Sequence, residues 1–429
     1  QSGVLRVRVE KEFGESTAAK ILELVQHAGS KKSRSEKFIS RFAGIYTPIV
    51  VFAAIALALI PPMLTGDFAG SFAAWLLRAL TFLIVSCPCA LVVSVPLAFF
   101  GGIGAASKAG ILIKGSSYMD ALAKADTVVF DKTGTLTKGV FEVTTLHPEE
   151  MDEKELLHLA AHVERYSTHP IAVSLRTAFG NEADGCAVES VEEVAGQGIR
   201  AVVNGRTVCV GNSKMMDAIG AKWKSCDEAG TIIHVAVDGV YAGHIHISDI
   251  EKPDAKKAIA ELKALGVGHT VMLTGDREEV AKRVASDLGL DEYHAELLPA
   301  DKVSGLEQLL QNRKEGASLV FVGDGINDAP VLARADIGVA MGAMGSDAAI
   351  EAADVVLMDD QPSKIAKAVR ISRSTLAIAK QNIVFAIAVK VGILILAAFG
   401  LAPMWLAVFG DTGVLILCVL NSMRALKAR

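Results

Sequence analysis

Residues 42–66 and 79–107 contain no Asp, Glu, Lys or Arg, and each stretch exceeds the ~20 residues a helix needs to cross ~30 Å of hydrocarbon. Nothing else in the chain constrains its folding as strongly, because backbone in lipid must satisfy its own hydrogen bonds. Residues 380–424 form another apolar block. Gly400-Leu401-Ala402-Pro403 interrupts it, so it reads as a hairpin of two helices, giving four spans in all. Composition agrees: 51% hydrophobic, 21% charged residues and a mean hydropathy of +0.40 are too apolar for an ordinary soluble enzyme and too charged for a chain lying wholly in lipid. The polar stretch 108–373 must lie on one side of the membrane. Lys31, Lys32, Arg34, Lys37, Arg41, Lys108, Lys114, Arg373, Lys380, Arg424 and Lys427 flank the spans there, which makes that side cytoplasmic. A net charge of −5, 6% aromatic residues and no Lys/Arg block exclude nucleic-acid binding. Of the cysteines, Cys186, Cys209 and Cys226 in the polar middle show neither a Cys-x-x-Cys pair nor structural-zinc His spacing, so neither a zinc module nor a disulfide scaffold is expected.

Inside the polar stretch, 127–130, 270–273 and 319–322 are short apolar runs followed at once by Asp, Gly or Thr, with helical patterns such as 254–265 between them. Parallel strands of a doubly wound sheet look like this, with chemistry at their carboxyl ends. Residues 140–248 differ. After a helix near 154–164 they alternate β-rich pieces (199–203, 207–210, 232–237) with Asn-Gly and Asp-Gly turns, which predicts an inserted α+β domain.

Asp131-Lys132-Thr133-Gly134-Thr135-Leu136-Thr137 follows the first run directly. Thr274-Gly275-Asp276 and Gly323-Asp324-Gly325-Ile326-Asn327-Asp328-Ala329-Pro330 come later in the chain. In these motifs and their order the chain resembles the P-type ATPases over essentially its whole length. The resemblance implies an α-helical membrane domain, a haloacid-dehalogenase-like doubly wound α/β phosphorylation domain (111–139 and 249–368) and an inserted α+β nucleotide-binding domain (140–248). Two transmembrane helices at 34–110 and two at 369–429 complete it. Asp131 would be the nucleophile. A carboxylate attacks a γ-phosphoryl group only if anion repulsion is cancelled, which calls for a divalent cation, an ammonium and donors around the oxygens. Asp324 and Asp328 with Asp131 offer hard oxygens for Mg²⁺. Lys302 would supply the ammonium, Thr274 and Thr133 would bond the phosphoryl oxygens, and Asp276 and Asn327 complete the implied catalytic set. Related phosphatases carry an acid/base Asp two residues beyond the nucleophile. Thr133 stands there instead and cannot activate water, so the acyl phosphate should persist. For ATP, the resemblance points to Glu164, His169, Gly196 and Gly198 as the adenosine pocket; by themselves His-Pro and Gly-x-Gly are better explained as turns.

Cys87-Pro88-Cys89 lies inside the second apolar stretch. Proline in a helix interior removes a backbone bond and frees carbonyls, so the two thiols read either as a soft-metal site or as inert cysteines in a kinked helix. The last hairpin holds two charges, Lys390 and Asp411, at similar depth in their helices. They should face one another or a shared site, since an intramembrane charge costs at least ~2.5 kcal/mol. Cys87, Cys89 and Asp411 form a donor set for a borderline divalent ion, with Lys390 as counter-charge bringing the loaded site to neutrality. The combination resembles the Zn²⁺/Cd²⁺/Pb²⁺ exporters; the Tyr-Asn and Met-Ser patterns of Cu⁺ exporters are not found in the corresponding spans. Met404, Met423 and Cys418 keep a Cu⁺ exporter open, although Cys418 reads more simply as core packing.

The family also needs an actuator domain bearing Thr-Gly-Glu, and none occurs here. Residues 1–33 read as the actuator's trailing piece, with a helix at 17–27. The expectation is therefore an ATP-driven metal exporter, monomeric, in a bacterial inner membrane, served by a metal donor or by a preceding part of the same chain. The rival readings are a metal-binding membrane protein with an inactive ATPase domain and a membrane-tethered phosphatase.

Overall fold

With no water to bond, the apolar runs close their hydrogen bonds internally as helices. The computed structural model describes residues 34–64, 68–86, 89–167, 169–181, 184–225, 230–324, 328–342, 347–399, 401 and 403–427. Among them, Gly44–Leu64, Phe68–Lys108, Ser363–Ala397 and Phe409–Lys427 are long and apolar enough to cross a membrane. The expected actuator piece with its helix at 17–27, together with Cys87 and Asn327, lies outside the described residues.

Two boundaries differ from the sequence reading. The second apolar segment begins at Phe68 rather than at residue 79, because Arg78, which reads as an edge, lays its guanidinium over the Trp75 ring 4.4 Å from the centroid. That segment comprises two helices, Phe68–Val85 and Cys89–Lys108. The first ends where the Ser86 hydroxyl turns back to the Phe82 carbonyl at 2.6 Å. Further on, Ser363–Ala398 is one continuous helix of 36 residues, or ~54 Å at 1.5 Å per residue, far longer than the bilayer core. Its first turns dock on soluble structure: the Arg373 guanidinium donates to the carbonyls of Ala123, Ala125 and Leu265. Thr375, two residues further on, stands where a Cβ on Gly102 would be, so only glycine lets these helices approach.

By compactness the chain divides into two units. The first contains the described residues up to Val129, Ala260–His269 and those from Val303 on; the second contains Phe130–Ile259 and Thr270–Lys302. The strands are β1 (Ile111–Ile113), β2 (Ala125–Asp131), β3 (Thr137–Pro148), β4 (Val188–Val194), β5 (Gly198–Val203), β6 (Arg206–Gly211), β7 (Thr231–Val237), β8 (Val240–Glu251), β9 (His269–Leu273), β10 (Glu292–His294), β11 (Ser318–Gly323), β12 (Ile337–Met341) and β13 (Val355–Leu357). A seven-stranded sheet has the order β1-β13-β12-β11-β2-β9-β10. In it β11, β12 and β13 run parallel, β9 and β10 pair parallel, and β1 pairs antiparallel with β13 on the edge. Val128, Val129 and Phe130 of β2 and Leu319 to Val322 of β11 are fully buried, as expected of parallel strands covered on both faces.

In the second unit a six-stranded antiparallel sheet, β3-β8-β7-β6-β5-β4, is backed by the helices Glu153–Val163 and Pro170–Phe179. Leu156, Leu159, Val163 and Leu175 meet Ala201, Val208 and Val235 in one core. The turns are those the sequence names: Asn204-Gly205 and Asp238-Gly239 all take positive φ, the twist-compatible form for a two-residue hairpin.

Candidate functional site

β2 delivers Asp131 to its carboxyl end, where the chain must turn at once. Gly134 makes that possible with φ of +72°. Asp131 is buried, and Lys302 Nζ donates to its Oδ1 at 2.5 Å. Lys302 reaches it because the loop after β9 is laced to the segment before the helix Pro299–Asn312: Thr274 N bonds His294 O, Leu297 N bonds Thr274 O and Glu296 N bonds Asp276 O. Thr274 is buried, and its hydroxyl accepts from Asp276 N at 3.1 Å, whereas Thr133 is exposed. Lys132 turns to the other side and pairs with Asp276 and, at 3.7 Å, with Asp249.

Two residues that sequence reasoning missed hold this loop. Asp249, near the end of β8, accepts from Thr137 Oγ1 at 2.5 Å and from Gly139 N at 3.0 Å, and Lys252 Nζ donates to Gly134 O at 2.5 Å. They lie over a hundred positions downstream, and only the pairing of β3 with β8 brings them back. Lys132, Thr133 and Asp276 form one end of a cleft of about 1270 Å³ that continues to Asn212, Trp223 and His234.

None of the four residues implicated in adenosine binding lines that cleft. Glu164 is buried, and burial pushes its carboxyl up to about 7, against the Ser167 hydrogen bond and the Arg176 charge that pull it down; Glu193 on β4 adds to the rise. Arg176 holds the turn through the carbonyls of Glu164, Arg165 and Ser167. His169 is exposed and caps Pro170–Phe179 by accepting from Ile171 N through Nδ1 at 3.3 Å. The Gly196–Gly198 turn is joined to the cleft through Asn212, which lines it and donates to Gly196 O at 2.9 Å. A Cβ on Gly198 would lie 2.2 Å from Val210 O, so that glycine answers to strand packing, while Gly196 has open space.

In the first unit β11 ends at Gly323, followed by Asp324, which is half-buried. Asp328 is buried at the start of the helix Ala329–Arg334, its Oδ2 within 2.8 Å of where a Cβ on Gly323 would stand. Among the membrane helices, Lys390 Nζ lies 3.2 Å from Asp411 Oδ1 and donates to Val85 O at 3.1 Å. Val85 ends its helix just before the Cys-Pro-Cys break, so the ammonium occupies a carbonyl that an unbroken helix would have used itself. Gly410 keeps this crossing tight: a Cβ there would meet Ile393 Cδ1 at 2.2 Å. Cys89 opens the next helix, directly after the break. Cys418 is buried among Ala90, Leu91, Ala386 and Val414. The structure also gathers His158, His162, Asp184 and Cys186 within 4.8 Å, a group that the cysteine spacings gave no reason to expect.

The haloacid dehalogenase-like hydrolase family matches residues 125–336. The cadmium, zinc and cobalt-transporting ATPase of Bacillus subtilis (strain 168) is 55% identical, over 100% of this chain and 61% of its own length. The zinc-transporting ATPase of Synechocystis sp. (strain ATCC 27184 / PCC 6803 / Kazusa) is 54% identical, over 100% of this chain and 59% of its own. This chain thus spans about three fifths of the length of these curated relatives. A crystal structure of a zinc-transporting PIB-type ATPase in the E2.Pi state superposes with a TM-score of 0.81 at 38% identity, covering 97% of this chain and 68% of that one.

Proposed function

This chain belongs to the PIB-type ATPases, an integral-membrane family of P-type ATPases, and from that we propose that it drives Zn²⁺, and also Cd²⁺ or Pb²⁺, across the membrane through a phosphoryl group carried on Asp131. Lys302 on the Asp131 carboxylate offsets charge as the γ-phosphorus bonds Oδ and the bond to the ADP oxygen breaks. Thr274, and Thr133 at the mouth of the cleft, are the donors to the phosphoryl oxygens, with Asp276 held beside them by Lys132. Asp131, Asp324 and Asp328 would hold Mg²⁺, whose chemistry is to neutralise the oxygens in flight; Asn327 lies in the same motif. With Thr133 in place of a second acid, hydrolysis waits on groups other than this loop. ATP enters by the cleft, its adenosine toward Glu164, His169 and the Gly196–Gly198 turn.

The observation that carries the cargo reading is Lys390, bridging Asp411 and the carbonyl freed at the Cys-Pro-Cys break. Two thiolates and a carboxylate beside one ammonium suit a borderline divalent ion better than Cu⁺, which needs no carboxylate. We also propose a monomer in a bacterial inner membrane with a metal donor delivering the ion; the Lys/Arg bias supports cytoplasmic polar units and the bacterial relatives support the membrane setting. The test is ATP hydrolysis and transport by the full-length protein in vesicles with Zn²⁺, Cd²⁺, Pb²⁺ and Cu⁺ compared. Stimulation by the divalent ions is expected. Stimulation by Cu⁺ alone would reassign the cargo, and metal binding without hydrolysis would leave a binding protein.

A further inference from the structure

In the second unit, four side chains that favour borderline and soft cations converge away from the cleft. His158 and His162 stand one turn apart on Glu153–Val163. Asp184 Oδ2 lies 2.9 Å from Nε2 of the first and 3.1 Å from Nε2 of the second. Cys186 follows on the same loop, its amide donating to Asp184 Oδ1 at 3.0 Å. Phe179 sets its ring edge-on to both imidazoles, with centroids 5.2 and 5.5 Å away, closing one side with apolar surface.

We propose that His158, His162, Asp184 and Cys186 form a second metal site, for Zn²⁺ or Cd²⁺, distinct from the one among the membrane helices. Imidazole nitrogen, carboxylate oxygen and thiolate sulfur together are the donor set for a tetrahedral borderline ion, and each of the four offers an atom within 4.8 Å of the rest. Bonds of ~2.0 to 2.3 Å place tetrahedral ligand atoms about 3.3 to 3.8 Å apart. The oxygen between the two histidines therefore has to retreat by only a few tenths of an ångström, and the four ligand atoms already lie within 4.8 Å of one another. Two neutral imidazoles, a carboxylate and a thiolate sum to −2, which a divalent ion cancels. Hydrogen bonds alone would account for Asp184 between two Nε2–H groups, but not for a thiol completing the set.

The ion would tie the helix that leads into Glu164 to the loop following the helix that His169 caps. Occupancy would then stiffen the elements carrying both proposed adenosine contacts and lower the ATP concentration needed for half-saturation. That consequence rests on the function proposed above; the site itself does not.

The experiment uses the full chain with the membrane site disabled by Cys87→Ser, Cys89→Ser and Asp411→Ala, equilibrated with Zn²⁺ and separately with Co²⁺ as a spectroscopic probe. One retained equivalent of Zn²⁺ and a tetrahedral Co²⁺ spectrum with a thiolate charge-transfer band are expected. Adding Cys186→Ser should abolish that band, and adding His158→Gln should weaken binding at least about tenfold. Both residues are partly exposed, so the variants spare the core, and circular dichroism checks the fold. No retained ion, or one indifferent to His158→Gln and Cys186→Ser together, overturns the site. Half-saturation by ATP, read with and without Zn²⁺, is a separate measurement: an unchanged value beside intact metal binding removes the coupling and leaves the site.

Discussion

Asp131 is the residue on which the proposed chemistry turns, and its burial beside Lys302 gives the expectation a sharp form. Asp131→Asn keeps the shape of the side chain but cannot form an acyl phosphate, so labelling from ATP that is stable in acid and released by hydroxylamine should vanish. Label that survives the substitution would place the nucleophile elsewhere. Glu164 gives a prediction in stability. Its carboxyl is raised from 4.5 to about 7 because burial disfavours the charge, so the folded state holds the proton more tightly than the unfolded chain does. Between those values, stability therefore falls as pH rises, and the whole penalty is present above about 7. Glu164→Gln has nothing to ionise. It should melt close to wild type near pH 4.5 and higher than wild type at pH 8, by up to ~3 kcal/mol, less whatever relaxation lets water reach the charge. Thermal melts of both proteins across that range decide it, and a constant gap would mean that Glu164 ionises freely in the fold.

At the scale of elements, what was legible followed from local pattern. The strand ends with their Asp and Thr, the Asn204-Gly205 and Asp238-Gly239 turns, and the meeting of Lys390 with Asp411 all come from spacing and depth along one or two elements. What was not legible depended on partners remote in sequence. Val85 O could be named only once its helix was seen to stop; Asp249 and Lys252 needed the pairing of β3 with β8; Arg78 looked like a span edge until Trp75 received it. His158 and His162 show helical spacing in the sequence, but nothing local announces Asp184 and Cys186. In sequence Gly196 and Gly198 read as one turn, and the structure separates its ends. Gly198→Ala forces a Cβ into the backbone at Val210, which a strand pair cannot yield to, so it should cost several kcal/mol and unravel the hairpin of β5 and β6. Gly196→Ala meets no atom and carries only the left-handed strain of φ +70°, about 1 kcal/mol. If Gly196 touches nucleotide, its variant raises half-saturation by ATP while melting almost normally; equal melting losses in the two would contradict the local packing.

For the molecule as a whole, transport requires that metal in the membrane and phosphate on Asp131 change each other's binding by the same factor, whatever the route. The metal side can be perturbed in two ways that differ in sign. Asp411→Ala removes a proposed ligand and leaves Lys390 buried with the Val85 carbonyl but without its carboxylate, the more damaging way to break a charge pair. Zn²⁺ binding should weaken at least about tenfold, and metal-stimulated phosphorylation should fall with it. Lys390→Ala keeps Cys87, Cys89 and Asp411 but removes the cation that, on the proposed reading, would compete for the carboxylate once the ion must leave. Equilibrium binding should then hold or tighten, while turnover slows because release becomes limiting. The comparison requires both assays on the full-length protein under reducing conditions, since the proposed cysteine ligands would bind only as thiolates. Wild-type binding and turnover in Asp411→Ala would take the carboxylate out of the site and bring Cu⁺, on the two thiolates with a methionine, into serious contention. Parallel loss of binding in both variants would make the Lys390–Asp411 pair a structural clamp on the helix break and not the release device.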